Sequence, residues 1–178
     1  MKATEILMKE HQNILLVLNR LEQLLNMPLD KNMDEYQLII GFVEEYSDSY
    51  HHMKEEDIYF KWIEKHSPSL KEGPVNCMLS EHTTFRDLTA NAKNALAAFI
   101  ENGAQDAQET VVASFKMFID LLRAHIGKEN EMLYQMAERL DERVNCGDEE
   151  MLGEYNKVEL KYSAEIKRYE EYCSSLGE

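Results

Sequence analysis

The chain has 178 residues, of which 44% are hydrophobic, so it is long enough to form one domain with a buried core. Its seven glycines and three prolines are few for a turn-rich β protein and favour an all-α fold with long helices. The formal net charge of −15 argues against binding to nucleic acid or to an anionic membrane surface, because both require a basic patch.

Four long segments have apolar residues at helical spacing: about Thr4 to Asn26, Asn32 or Asp34 to about His66, Pro74 to Asn102, and about Asp106 to before Gly147. Ser67-Pro68-Ser69 is expected to end the second helix, and Pro74 suits the first position of the third. Four helices with short loops predict an up-down-up-down four-helix bundle. No apolar run is long enough to predict a membrane-spanning helix.

The segment from Asp148 to about Cys173 also has a helical pattern, but it is more polar. Its thin apolar stripe consists of Tyr155, Val158, Tyr162, Ile166 and Tyr169. This stripe can dock on the bundle or on a partner subunit, as in a homodimer. We therefore expect a bundle of residues 1–145 and a C-terminal helical extension of residues 146–178. The cysteines form no CxxC motif, which argues against a disulfide framework and favours a cytoplasmic location: Cys77, Cys146 and Cys173.

Two His-x-x-x-Glu pairs lie inside the predicted helices. His52 and Glu56 are four residues apart, and His125 and Glu129 repeat this spacing. On an α-helix such side chains lie on the same face, within reach of one ion. His51 is expected to point about 100° away from His52, and therefore to support another side chain or face solvent.

An antiparallel bundle brings four histidines to one level. At about 1.5 Å per residue, His11 lies roughly 10 Å above the lower end of the bundle and His82 roughly 12 Å. His52 and His125 lie on descending helices, about 28–30 Å below the upper end of a bundle about 33 Å long. These side chains predict a buried two-metal site: His11, His52, Glu56, His82, His125 and Glu129. The alternative, in which each histidine is an ordinary core residue, predicts neither the shared depth nor the duplicated spacing.

The chemistry of this set suits a two-metal site. Imidazole binds iron, zinc and copper, and carboxylates can bridge two cations. Two histidines for each metal and two shared carboxylates leave coordination positions open for a ligand. Three tyrosines near the predicted site are candidate redox partners or, alternatively, ordinary core aromatics: Tyr50, Tyr59 and Tyr134.

Over roughly residues 1–140 the pattern resembles the haemerythrin-like, or HHE cation-binding, family. The segments that carry the resemblance are Glu10-His11, residues 51–60, residues 73–82 and residues 125–129. The resemblance implies a non-haem di-iron centre with two bridging carboxylates, often with a bridging oxo or hydroxo group, held by the six residues above. Zinc or manganese could substitute for iron at the same ligands.

The roles known in that family are O₂ binding, oxygen or redox sensing, NO handling, iron sensing and iron–sulfur cluster repair. One turn after His82 this chain has Arg86, where true haemerythrins have a further histidine, which argues against simple O₂ carriage. We therefore predict a protein that binds or senses a small diatomic molecule or oxidant: O₂, NO or peroxide. The alternatives are a di-iron oxidase or peroxidase-like enzyme, an iron–sulfur cluster repair-type protein, and an interaction module that docks a partner through its C-terminal helix.

Overall fold

A computed structural model describes residues 2–144 and 147–177, and in these ranges the chain is helical, with no strands. Six helices are present there. Helix α1 is Ala3–Leu24, and a 3₁₀ turn, Leu29–Lys31, follows it. Helix α2 covers residues 33–66 as Met33–Gly41, Phe42–His52, Glu55–Tyr59 and Phe60–His66. Helix α3 covers residues 68–102 as Pro68–Leu70, Lys71–Val75 and Asn76–Asn102.

Helix α4 covers residues 105–144 as Gln105–Lys128, Glu129–Leu133 and Tyr134–Val144. Helices α5 and α6 are Gly147–Lys161 and Ser163–Leu176. The predicted all-α fold is therefore confirmed. Among the residues described, no helix is both long enough and apolar enough to cross a membrane.

The first four helices form the predicted up-down-up-down bundle. Neighbouring helices are antiparallel, because residues that come later on one helix contact residues that come earlier on the other. The pairs are Asn13–Tyr46 and Arg20–Glu35 for α1 and α2, Asp48–Arg86 and Glu44–Lys93 for α2 and α3, His82–His125 and Phe85–Phe118 for α3 and α4, and Thr4–Glu138 and Glu22–Arg123 for α1 and α4.

A polar layer separates two apolar clusters inside the bundle. The larger cluster includes Ile14, Leu18, Tyr46, Phe115 and Phe118, and the smaller one includes Leu7, Tyr59, Ile63, Leu133 and Tyr134. Along α1, α2 and α3 a histidine lies between the contributions to the two clusters, and along α4 Glu129 lies between Ile126 of the larger cluster and Leu133 of the smaller one. Because both clusters exclude water, the polar side chains between them must be satisfied by one another or by a bound ion.

Helices α2 and α4 contain π-helical segments beside this polar layer: Phe42–His52, Glu55–Tyr59 and Glu129–Leu133. A π-helical turn is wider than an α-helical turn, so successive side chains are separated by a smaller angle. Such segments are often found at functional sites. The expectation of a separation of about 100° between His51 and His52 assumed α-helical geometry, whereas both residues lie in a π-helical segment.

Helix α3 begins earlier than the sequence predicted. Ser67 has an extended backbone (φ −148°, ψ 93°) and ends α2, as expected, but Pro68 rather than Pro74 is the first residue of the next helix. Pro74 lies inside the π-helical segment Lys71–Val75. Either proline suits the first turn of a helix, and the extended backbone of Ser67 places Pro68 there. The predicted end is confirmed, because Gly103 has a positive φ of 67° and donates its N–H to Phe99 at 2.8 Å.

The C-terminal segment forms two helices where one was expected, with a break at Tyr162. Both pack on the bundle across α1 and α2. Asp148 accepts the backbone N–H of Ala3 at 2.9 Å, and the hydroxyl of Tyr169 lies so close to Gly41 that a Cβ there would be 2.8 Å away. The predicted division at residues 145 and 146, which includes Cys146, falls outside the described ranges and stays a prediction.

Candidate metal centre

Five histidines and two glutamates meet in the polar layer. They come from all four bundle helices: His11 from α1, His51, His52 and Glu55 from α2, His82 from α3, and His125 and Glu129 from α4. Each is at most 3% exposed. The potential ligand atoms fall into two groups, and within each group they lie within 4.8 Å of one another.

The first group contains His11, His51 and Glu55. The imidazole rings of the two histidines meet edge to face, with centroids 4.6 Å apart. Nε2 of His51 lies 3.6 Å from Oε2 of Glu55, and Nε2 of His11 lies 3.3 Å from Oε2 of Glu129. This group therefore has two imidazoles and access to two carboxylates.

The second group contains His52, His82, His125 and Glu55. The rings of His52 and His82 are stacked with centroids 3.9 Å apart, and the Nε2 atoms of His82 and His125 are 3.0 Å apart. Nε2 of His82 lies 3.5 Å from Oε2 of Glu55. This group has three imidazoles where the first has two.

The two carboxylates lie between the groups. Oε2 of Glu55 faces His51 of the first group and His82 of the second. Glu129 directs Oε2 towards His11 and Oε1 towards His125, at 3.3 and 3.2 Å. Each carboxylate thus contacts one histidine of each group, as a bridge between two cations would require.

Every histidine of the cluster has an oxygen acceptor at its outer nitrogen, Nδ1. The pairs are His11–Asn130 at 2.8 Å, His51–Glu10 at 2.9 Å, His52–Asp48 at 3.3 Å, His82–Glu56 at 2.8 Å and His125–Glu81 at 2.7 Å. A carboxylate acceptor requires the proton on Nδ1, which leaves the lone pair of Nε2 free. This is the arrangement by which proteins orient histidines that bind metals.

Several inner atoms are buried and have no hydrogen-bond partner among the residues described: Nε2 of His11 and His51, Oε2 of Glu55, and both carboxylate oxygens of Glu129. Leaving a buried polar atom unpaired costs roughly 1–3 kcal/mol. All of these atoms can donate a lone pair, so one or two cations placed among them would satisfy the whole set. The residues present therefore fit a bound metal.

Burial and neighbouring charges shift the pKa values within the cluster in different directions. Burial and the nearby charge of Glu129 raise the pKa of Glu55 well above its usual range. Burial also acts to raise the pKa of Glu129, but His125 and His11 outweigh it, and the pKa falls well below the usual value. Burial lowers the pKa of His52 to about 3 and that of His51 well below its normal range, so both rings are neutral and can act as ligands.

Most of the predicted site residues meet in this cluster. His11, His52, His82, His125 and Glu129 point into it. Glu56 does not: its side chain is 24% exposed, accepts a hydrogen bond from Arg86 at 2.7 Å, and serves the outer nitrogen of His82.

Glu55 and His51 take inner positions that the sequence analysis did not give them. Both are fully buried, although His51 was expected to be outside the ligand set. The segment His51-His52-Met53-Lys54-Glu55-Glu56 contains two overlapping His-x-x-x-Glu pairs, and their spacing alone does not say which glutamate faces inward.

A repeated pattern between the two halves of the bundle could have resolved this ambiguity. Helices α1 and α2 carry Glu10-His11 and His51-x-x-Lys54-Glu55, and helices α3 and α4 carry Glu81-His82 and His125-x-x-Lys128-Glu129. The contacts repeat too: Lys54 donates to Glu10, which holds His51, and Lys128 donates to Glu81, which holds His125. The shared lysine identifies Glu55, not Glu56, as the counterpart of Glu129.

His52 breaks this repeat. Its counterpart on α4 is Ile126, and the residue one turn earlier is Asp48 on α2 but Leu122 on α4. Asp48 holds the outer nitrogen of His52, accepts a hydrogen bond from Nε of Arg86 at 2.8 Å and forms an ion pair with the same guanidinium. The second group therefore has an additional imidazole with its own acidic support.

A family model described as hemerythrin HHE cation binding domain matches residues 2–137. The matched range contains the five histidines and both inner glutamates of the cluster, and it ends before helices α5 and α6. Searches of curated proteins and of solved structures gave no match.

Proposed function

The chain belongs to the haemerythrin HHE cation-binding domain family, and we propose that it holds two iron ions and uses them to bind or sense a small diatomic molecule or oxidant. The observation that carries this proposal is the pair of histidine groups that share two carboxylates with unpaired buried oxygens. The candidate small ligands are those that the sequence analysis named: O₂, NO and peroxide.

The proposed ligand set differs from the sequence-based one at two positions. His11 and His51 would hold the first iron, and His52, His82 and His125 would hold the second. Glu55 and Glu129 would bridge them, while Glu56 would orient His82. Four protein ligands at the first position leave more coordination sites open than five at the second, so the first position suits the binding of an external ligand.

Iron, when bound, supplies reversible coordination of small ligands and one-electron redox chemistry, and the protein controls access and orientation. The ring of Tyr134 stacks on that of His11 with centroids 5.8 Å apart. Its hydroxyl donates to Oε1 of Glu55. Tyr134 thus excludes water from the first group and directs the second oxygen of Glu55 inward.

The position of Tyr134 also favours a second candidate function, a di-iron oxidase or peroxidase-like enzyme. A phenol in contact with a bridging carboxylate can supply an electron and a proton to the centre. The iron–sulfur repair-type role, the homodimer and the cytoplasmic location stay predictions from the sequence.

Anaerobic loading with ferrous iron, followed by absorption spectra before and after exposure to air, tests the proposal. We expect about two irons per chain, one for each group, and a new charge-transfer band on exposure to air. Reversal of the band under vacuum supports ligand binding or sensing, whereas turnover with peroxide above that of free iron supports the enzyme. His66 lies outside the cluster and bonds to Trp62, so His66→Ala is a matched control that should keep its iron. Failure of the wild-type protein to take up iron would refute the proposal.

A further inference from the structure

A cavity of about 140 Å³ lies between helices α2, α3 and α4, on the outer side of His52. Val43, Phe85 and Phe118 form apolar walls, and the ring of His52 forms part of the boundary. The cavity therefore lies where His52 breaks the repeat between the two halves of the bundle. An apolar cavity of about this size can hold a molecule as large as benzene.

Ser47 gives this cavity one specific polar feature. The residue is 1% exposed and lines the cavity, and its hydroxyl has no hydrogen-bond partner among the residues described. A buried hydroxyl without a partner is destabilising by roughly 1–3 kcal/mol. Most serines at a helix surface face water or bond to their own backbone, and this one does neither. An occupant with a single polar group would complete its hydrogen bonding.

The charged side chains that line the cavity are already paired. The guanidinium of Arg86 lies 2.7 Å from Asp48 and 2.7 Å from Glu56. Glu44 accepts two hydrogen bonds from Lys93, at 2.7 and 2.8 Å. A charged occupant, whether anion or cation, would therefore lose its hydration without gaining an unpaired opposite charge among the lining residues described.

We propose that this cavity is a binding site for a small uncharged molecule, no larger than about benzene, whose one polar group pairs with the hydroxyl of Ser47. The occupant lies against the outer face of His52 and so contacts a candidate iron ligand. The site goes beyond the proposed iron function and does not depend on it, since its walls and its hydroxyl belong to the protein alone.

Phenol is a suitable probe, because it has one aromatic ring and one hydroxyl and is uncharged at neutral pH. The full chain, labelled with ¹⁵N and supplied with zinc, is titrated with phenol, with benzoate and with benzene. We expect amide shifts at the cavity residues with phenol and benzene, and none with benzoate. Ser47→Ala should weaken phenol binding about fivefold and leave benzene binding unchanged.

Two alanines on the same face of α3 provide a matched pair of variants. Ala90 lines the cavity, and Ala97 lies two turns further along on a different depression. Ala90→Trp should abolish the phenol shifts and Ala97→Trp should preserve them, while circular dichroism checks that both variants fold. Absence of phenol shifts in the wild type, equal binding of benzoate, or equal phenol affinity in Ser47→Ala would each overturn the proposal.

Discussion

The two halves of the bundle build their parts of the candidate metal centre from the same pattern, yet in different surroundings. On α4, His125-x-x-Lys128-Glu129 is supported by Glu81 at the edge of the bundle, where the Lys128 side chain is 38% exposed. On α2, His51-x-x-Lys54-Glu55 is supported by Glu10 in the interior, where the Lys54 side chain is only 1% exposed. The difference shows that the motif determines which side chains are neighbours. The packing around each pair determines how much that pair contributes to the free energy of unfolding.

The helices that follow the bundle cause this difference. Lys54 lies over the ring of Tyr50, 3.8 Å from its centroid, and 5.4 Å from that of Tyr155 on α5. Helix α5 therefore covers the α2 half, and among the described residues no comparable contact is seen for Lys128. The buried pair of Lys54 and Glu10 is consequently the more sensitive one.

The largest effect is expected from Lys54→Met, compared with Lys128→Met. Removing Lys54 leaves the Glu10 carboxylate buried without its cation, which should lower the free energy of unfolding by about 3–5 kcal/mol. Lys128→Met should cost about 1 kcal/mol or less, since that pair is exposed to solvent. Urea unfolding followed by circular dichroism measures both. The double variant Lys54→Met/Glu10→Gln should recover much of the loss, and equal losses in the two single variants would contradict the comparison.

The next effect distinguishes Glu55 from Glu56 on α2. Glu55→Gln should weaken iron binding by at least about a hundredfold, or roughly 2.7 kcal/mol, because it removes one of the two carboxylates that the proposed centre shares between its histidine groups. In Glu56→Gln the amide oxygen can still accept the hydrogen bond from His82, so the loss should stay below about tenfold, the lower end for an outer partner. Competition with a coloured iron chelator gives both affinities. The opposite order would return Glu56 to the ligand set.

A smaller effect tests whether His52, which breaks the repeat, binds the metal. Asp48→Ala removes the oxygen that accepts the hydrogen bond from His52 and should reduce metal affinity by about tenfold, within the usual range for an outer partner. The same competition assay applies. Leu122→Ala, at the counterpart position on α4, should destabilise the fold without this specific loss of affinity in the folded protein. Unchanged affinity in Asp48→Ala would contradict the assignment of His52 as a metal ligand.

The smallest effect is a pH dependence in the α1–α2 half, away from the centre. Arg20 donates two hydrogen bonds to Glu35, at 2.6 and 2.7 Å, and they hold the pKa of that carboxyl below its usual value. A folded-state pKa below the unfolded one gives stability that is present near neutral pH and is lost as the pH falls through the acid range. Glu35→Gln should therefore cost up to about 1 kcal/mol at pH 7. Wild type and variant should converge in acid, and a constant difference at every pH would contradict the assignment.

Much of this protein could be predicted from the sequence. The helical spacing of apolar residues and the breaks at Ser67 and Gly103 gave the bundle, because local sequence preferences and packing agree there. Counting residues along antiparallel helices was sufficient to bring four histidines to one level, since the rise per residue of a helix is nearly constant.

What the sequence could not give is the rotation of each helix about its own axis. His51–Glu55 and His52–Glu56 have the same spacing, so their periodicity is identical and only the neighbours of α2 decide which pair faces inward. The π-helical segments then allow both histidines, but only Glu55 of the two glutamates, to reach the centre. The residue types and their order thus determined that a metal-binding layer would form. The tertiary structure decided which atoms it contains, because rotation and burial depend on packing from every side.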